Sequence, residues 1–151
     1  MKVSVCSDHR GFHAKELIKA YLKSSGHEVL DLGCDGTASC DYPDYAIAGA
    51  GSVAAGKSDR GIFLCGTGIG MSMAANKVKG IRAALCHDEL TAEMSRRHNN
   101  ANVLCLPADL IGEALMRLMI DVWLKTEYEA GRHDRRIEKI TEFERNGQCG
   151  K

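Results

Sequence analysis

Short, nearly continuous apolar runs alternate along this chain with longer segments of helical period. Val3–Cys6, Ile62–Cys65, Ala83–Cys86 and Val103–Leu106 are almost wholly apolar, as strands buried on both faces must be. Strands are therefore expected near Lys2–Cys6, Glu28–Leu32, Gly61–Cys65, Ile81–Cys86 and Asn102–Leu106. With helical segments between them, the expected fold is α/β, a Rossmann-like αβα sandwich on a five-stranded parallel sheet.

The helical segments differ in character. Leu17, Ile18, Tyr21 and Leu22 form one stripe, which assigns Lys15, Lys19 and Lys23 to solvent, with Gly26 as the stop. A second helix is expected over about Asp44–Ala55, where Ala46, Ala48 and Ala50 permit close approach and Gly49 and Gly51 weaken the periodic signal. The clearest helix is Leu110–Thr126, with Ile111, Ala114, Leu115, Leu118, Met119, Val122 and Trp123 on its stripe and Asp109 as its N-cap. A last charged helix, His133–Arg145, has Ile137 and Ile140 as its main apolar anchors. So few anchors predict that it packs on a partner chain.

Length and charge narrow the function. At 151 residues the chain is expected to be one domain, residues 1–151, with no repeat or linker. Twenty basic residues balance twenty acidic ones, so no overall field draws the protein to nucleic acid or to a membrane. Any anion must be gripped locally. Charged residues interrupt the N-terminus too early for a signal peptide, and no apolar run nears the ~18 residues of a membrane span. A cytoplasmic protein is expected. The seven cysteines form no C-x-x-C pair, so reduced thiols are expected, most of them small buried hydrophobes. No group of Cys, His, Asp and Glu has metal-ligand spacing, and neither metal nor cofactor is expected.

In an open parallel sheet the ligand crevice lies beyond the carboxyl ends of the strands. The first strand is followed by Ser7, Asp8, His9, Arg10 and Gly11, the third by Cys65, Gly66, Thr67, Gly68, Ile69 and Gly70, and the fifth is preceded by Arg97, His98, Asn99 and Asn100. These three segments are expected to converge on one crevice. Gly66–Gly70 is an anion cradle whose amides can approach a negative oxygen, although a tight strand-to-helix turn would use the same glycines. Met71 breaks G-x-G-x-x-G, and no P-loop Lys follows. Cys65 stands beside those donors, where a thiolate can serve as a base; the plainer reading is a buried core cysteine. By themselves Asp8 reads equally as a helix cap, His98 as a surface imidazole, and Asp41-Tyr42-Pro43 as a turn into the next helix. Arg132 and Arg136 stand four apart, so a helix beginning by Arg132 would aim both at one phosphate; pairing with Glu129 or Glu138 on a solvated face is the alternative.

Together these segments resemble the ribose-5-phosphate isomerase B family of sugar-phosphate isomerases, over nearly the whole chain. The resemblance is carried by Asp8-His9, Asp41-Tyr42-Pro43, Cys65–Gly70 leading to Ala74-Ala75-Asn76-Lys77, Gly80-Ile81-Arg82-Ala83, Ser95–Asn99, and Gly131-Arg132-His133 with Arg136. It implies a homodimer, or a dimer of dimers, with sites shared between subunits. It also implies metal-independent interconversion of ribose 5-phosphate and ribulose 5-phosphate. Under it Cys65 is the base, Thr67 and the amides of Gly66, Gly68, Ile69 and Gly70 hold the oxyanion, and Asp8, Asp41 and His98 assist ring opening or hold hydroxyls. Asn99 binds the sugar, and His9, Arg132 and Arg136 grip the phosphate. The chain departs from the family at Pro107-Ala108-Asp109, where many members carry a phosphate-binding arginine. That departure leaves six-carbon sugar phosphates, such as allose or galactose 6-phosphate, as alternatives. A non-catalytic binder of phosphorylated ligands would also suit the fold, but it would have no need of a base.

Overall fold

Strands with apolar side chains on both faces need a covering layer on each, and a computed structural model, which describes residues 1–147, supplies both. Strands β1 (Lys2–Ser7), β2 (Glu28–Asp31), β3 (Arg60–Cys65), β4 (Ala83–Leu85) and β5 (Val103–Pro107) form one parallel sheet in the order β2-β1-β3-β5-β4. The helices are α1 (Phe12–Ser24), α2 (Tyr42–Ala54), α3 (Ile69–Ala75), α4 (Glu89–Arg97), α5 (Glu113–Lys125) and α6 (Asp134–Asn146). Alternate strand residues feed opposite faces. Val5, Ile62, Leu64, Leu104 and Leu106 pack with Ile18 and Leu22 of α1 and Met119, Ile120 and Trp123 of α5. Cys6, Phe63, Cys65, Val103 and Cys105 pack with Ala46 and Ala50 of α2 and Met71 and Ala75 of α3. Gly49, which weakened the sequence signal for α2, is where this helix meets the sheet: a Cβ there would lie 2.2 Å from Cys6 Sγ.

Several expectations need correction. Lys15 is buried, at 1% exposure, although the helical stripe assigned it to solvent. Its ammonium donates to both carboxylate oxygens of Asp31 at 3.0 and 2.9 Å and to the Cys34 carbonyl at 2.6 Å. These partners come from another element, so helical periodicity cannot reveal them. Leu17, by contrast, is largely exposed. Asp109 caps no helix: the Pro107 carbonyl accepts from the amides of Leu110 and Ile111, and α5 starts at Glu113 after an extended Gly112. Its buried face is Met116, Met119, Ile120, Trp123 and Leu124, while Leu118 is exposed. The last helix begins at Asp134, preceded by a 3-10 turn over Gly131–His133. It buries none of its residues, and Ile140 and Phe143 lie open to solvent. Cys149 lies outside the described residues. Among the described residues no helix is long and apolar enough to cross a membrane.

Candidate active site

Strand order reverses at β1, whose neighbours are β2 and β3, so the crevice beyond β1 and β3 is the topological switch point of the sheet. The loops that leave these two strands meet there. Asp8 is almost fully buried, and its Oδ1 accepts from the amides of Arg10 and Gly11, each at 3.0 Å. The carboxylate thus shapes the turn that presents His9 and Arg10. His9 Nδ1 lies 3.2 Å from both the amide nitrogen and the carbonyl oxygen of Cys40. Nδ1 accepts from the amide when it carries no hydrogen and donates to the carbonyl when it does, so either tautomer is held and Nε2 faces away from this anchor. The same contact brings the 40–42 segment to the crevice. Asp41 precedes α2 in extended geometry and is exposed, and the Tyr42 ring covers Gly70 so closely that a Cβ there would meet it at 2.7 Å.

Cys65 ends β3 and is 5% exposed. Gly68 follows with φ +73°, a conformation that favours glycine, and turns its amide back to donate to Cys65 Sγ at 3.1 Å. One amide of the glycine loop is therefore committed to the sulfur rather than to a ligand. Thr67 is exposed, and its Oγ1 accepts weakly from the Ile69 amide at 3.4 Å. Over Gly66 lies an ion pair that sequence reasoning missed. The Arg10 guanidinium donates through Nε at 2.8 Å and Nη2 at 2.5 Å to Asp109 Oδ2.

His98 and Asn99 do not join this group. They follow α4 and precede β5, so they lie at the amino edge of the sheet, whereas Cys65 pairs with Pro107 at its carboxyl edge. The span from Val103 to Pro107 alone is about 13 Å. Within one chain, therefore, only the segments that follow β1 and β3 meet, because a residue that precedes a parallel strand and one that ends its neighbour stand at opposite ends.

A second cluster forms at that amino edge. The 98–100 loop is held by Arg82 Nε, which donates to the carbonyls of Asn99 and Asn100, and Asn100 itself adopts φ +46°. The Glu129 amide donates to the Arg97 carbonyl, which brings the 129–136 segment alongside. His98 and His133 stack, with ring centroids 4.3 Å apart and planes within 12°. Glu129 Oε2 is 3.5 Å from His98 Nε2 and 3.8 Å from His133 Nε2, and Arg132 Nε donates to His133 Nε2 at 3.3 Å. Arg132 lies in the 3-10 turn and Arg136 in the first turn of α6, both exposed. Burial, with His98 and Arg132 nearby, lowers the pKa of His133. Glu129 lies beside both histidines and 3.6 Å from Arg97 Nη2, and the alternative pairing of Arg132 or Arg136 with Glu129 or Glu138 is not among the ion pairs of the described residues.

Sequence spacing had indicated no metal-ligand group, yet His98, Glu129 and His133 bring ligand atoms within 4.8 Å of one another. Their geometry does not suit an ion. Parallel stacked rings direct their Nε2 lone pairs side by side, and that of His133 already accepts from Arg132.

The Ribose/Galactose Isomerase family matches residues 3–140. The chain is 45% identical to ribose-5-phosphate isomerase B of Escherichia coli over 143 residues, covering 95% of this chain and 96% of that one. Its fold is similar to that of ribose-5-phosphate isomerase B of Clostridium thermocellum, with a TM-score of 0.96, 47% identity and coverage of 98% and 100%. The Mycoplasma genitalium enzyme, solved with bound ribulose-5-phosphate, is similar with a TM-score of 0.92, 44% identity and coverage of 96% and 97%.

Proposed function

The chain belongs to the Ribose/Galactose Isomerase family and is an isomerase, and from that premise we propose that it interconverts ribose 5-phosphate and ribulose 5-phosphate through a cis-enediolate with Cys65 as the base. The observation that carries this reading is the Gly68 amide that donates to Cys65 Sγ and holds the sulfur at the mouth of the glycine loop.

In the aldose-to-ketose direction His98, with Asp8 or Asp41, moves the anomeric hydroxyl proton to the ring oxygen and opens the ring. The Cys65 thiolate then takes the C2 hydrogen as a proton. Its bonding pair becomes the C1–C2 double bond, and the former carbonyl oxygen at C1 takes the negative charge beside Thr67 and the amides of Gly66, Ile69 and Gly70. Transfer of the O2 proton to O1, with return of the Cys65 proton to C1, completes the ketose. Asn99 holds the sugar, and His9, Arg132 and Arg136 grip the phosphate.

Cys65 and His98 stand at opposite edges of one sheet, which supports a homodimer in which each site takes Cys65 from one subunit and His98 from its partner. The open apolar side chains of α6 support its packing on that partner. Asp109, a carboxylate at the crevice, favours one second reading, a six-carbon sugar phosphate such as allose or galactose 6-phosphate.

A coupled assay with ribose 5-phosphate and the two hexose phosphates, before and after exhaustive EDTA treatment, tests the reading. Turnover of ribose 5-phosphate that survives chelation is expected. Preference for a hexose phosphate would move the assignment to the second reading, and activity restored only by a divalent metal would overturn the mechanism.

A further inference from the structure

The Arg10–Asp109 pair has no part in the mechanism above, yet it crosses the glycine loop. A Cβ on Gly66 would lie 2.6 Å from Asp109 Oδ2 and 2.7 Å from Arg10 Nε, so the pair rests directly on that residue. Arg10 is next in sequence to His9, and the Asp8 carboxylate fixes its amide. Both of its bonds run to one carboxylate oxygen, through Nε and Nη2. Nη1 makes no hydrogen bond to any described residue, and the side chain remains 62% exposed. A guanidinium is planar, so a carboxylate that holds one edge sets the direction of the N–H groups on the other. An arginine with only a surface ion pair to make would gain little from it. Here the oriented, open edge stands beside His9, whose Nε2 also has no partner among the described residues.

We propose that Arg10, oriented by Asp109 across Gly66, is a substrate-recognition residue whose open guanidinium edge binds a phosphate oxygen of the sugar phosphate together with His9. The proposal rests on the sugar-phosphate reading of this site. It makes Asp109 a positioning residue. Asp109 also sets a cost, because its carboxylate repels the bound phosphate whenever Arg10 is absent.

The test is calorimetric binding of inorganic phosphate to the intact protein, parent and variants, alongside steady-state kinetics with ribose 5-phosphate. Arg10→Ala should weaken phosphate binding at least about tenfold and raise KM with kcat nearly unchanged, as loss of a charge-assisted bond does. Arg10→Lys, which keeps the charge but not the fork, should recover only part of the loss. The decisive variant is Arg10→Ala with Asp109→Ala, in which neither contact nor repulsion remains. Phosphate binding that stays at least about fivefold weaker than the parent supports direct contact. Binding restored to the parent value would mean that Arg10 only neutralises Asp109, and the proposal would fall. Parent protein that binds no phosphate would also overturn it. If the parent binds phosphate but isomerises none of the sugars, the enzymatic reading fails separately and the binding series still judges Arg10.

Discussion

Cys65 and His98 occupy opposite edges of the same parallel sheet, one ending β3 and the other preceding β5. A dimer that joins them across its interface carries two equivalent sites, each with Cys65 from one subunit and His98 from the other. Inactive Cys65→Ala and His98→Ala chains should then complement. In a heterodimer both lesions fall in one site and the other is intact. Free re-pairing of equal amounts makes about half the dimers mixed, so about a quarter of parental activity should return. A mixture that stays inactive after mass spectrometry has shown subunit exchange would assign both residues to one chain's site.

Cys65→Ser should lower kcat at least about 100-fold, because a hydroxyl is too weak an acid to supply the base near neutral pH. Substrate binding should change little. The measurement is exchange of the C2 hydrogen with solvent, followed by NMR. Exchange at the parental rate would make Cys65 a packing residue of the core formed with Met71 and Ala75.

Arg132→Ala and Arg136→Ala should each raise KM for ribose 5-phosphate about tenfold, the equivalent of one charge-assisted hydrogen bond. Turnover of unphosphorylated ribose should be unaffected by either change. Equal losses on both sugars would mean that these arginines support assembly, a role to be checked by sedimentation.

Lys15 is the most deeply buried charge, held by Asp31 and the Cys34 carbonyl. Asp31→Asn leaves that ammonium to the more exposed Glu16 carboxylate, 3.3 Å away, and should cost about 3 kcal/mol in denaturant unfolding. Lys15→Met removes the buried charge itself and should cost less. The reverse order would show that the ammonium's other bonds, chiefly that to the Cys34 carbonyl, contribute more than its pairing with Asp31.

His133 has its pKa lowered by burial, by His98 and by Arg132. The unfolded chain therefore takes up this proton at a higher pH than the folded one. Stability from this group is full well above pH 6.5 and falls as the solution is acidified through that value, levelling off below the folded pKa. His133→Gln should flatten this part of the stability profile. An unchanged profile, measured by thermal unfolding between pH 8 and pH 5, would locate the transition in another group.

Local pattern was enough for the architecture and for one half of the candidate site. Continuous apolar runs specify buried parallel strands, and the polar or glycine-rich segments at their carboxyl ends specify the crevice, so Asp8, His9 and Cys65–Gly70 could be found from spacing alone. The family resemblance added roles for Arg132 and Arg136 that the residues themselves left open. Tertiary structure decided what depends on partners distant in sequence. Lys15 is buried because Asp31 and Cys34 meet it, which no helical period records. Asp109 orients Arg10, 99 residues away, instead of capping α5. His98, Glu129 and His133 come together only because the chain returns to the amino edge of the sheet after α5. Strand order likewise separates His98 from Cys65, since pairing of β3 with β5 is a long-range choice that period and propensity do not encode.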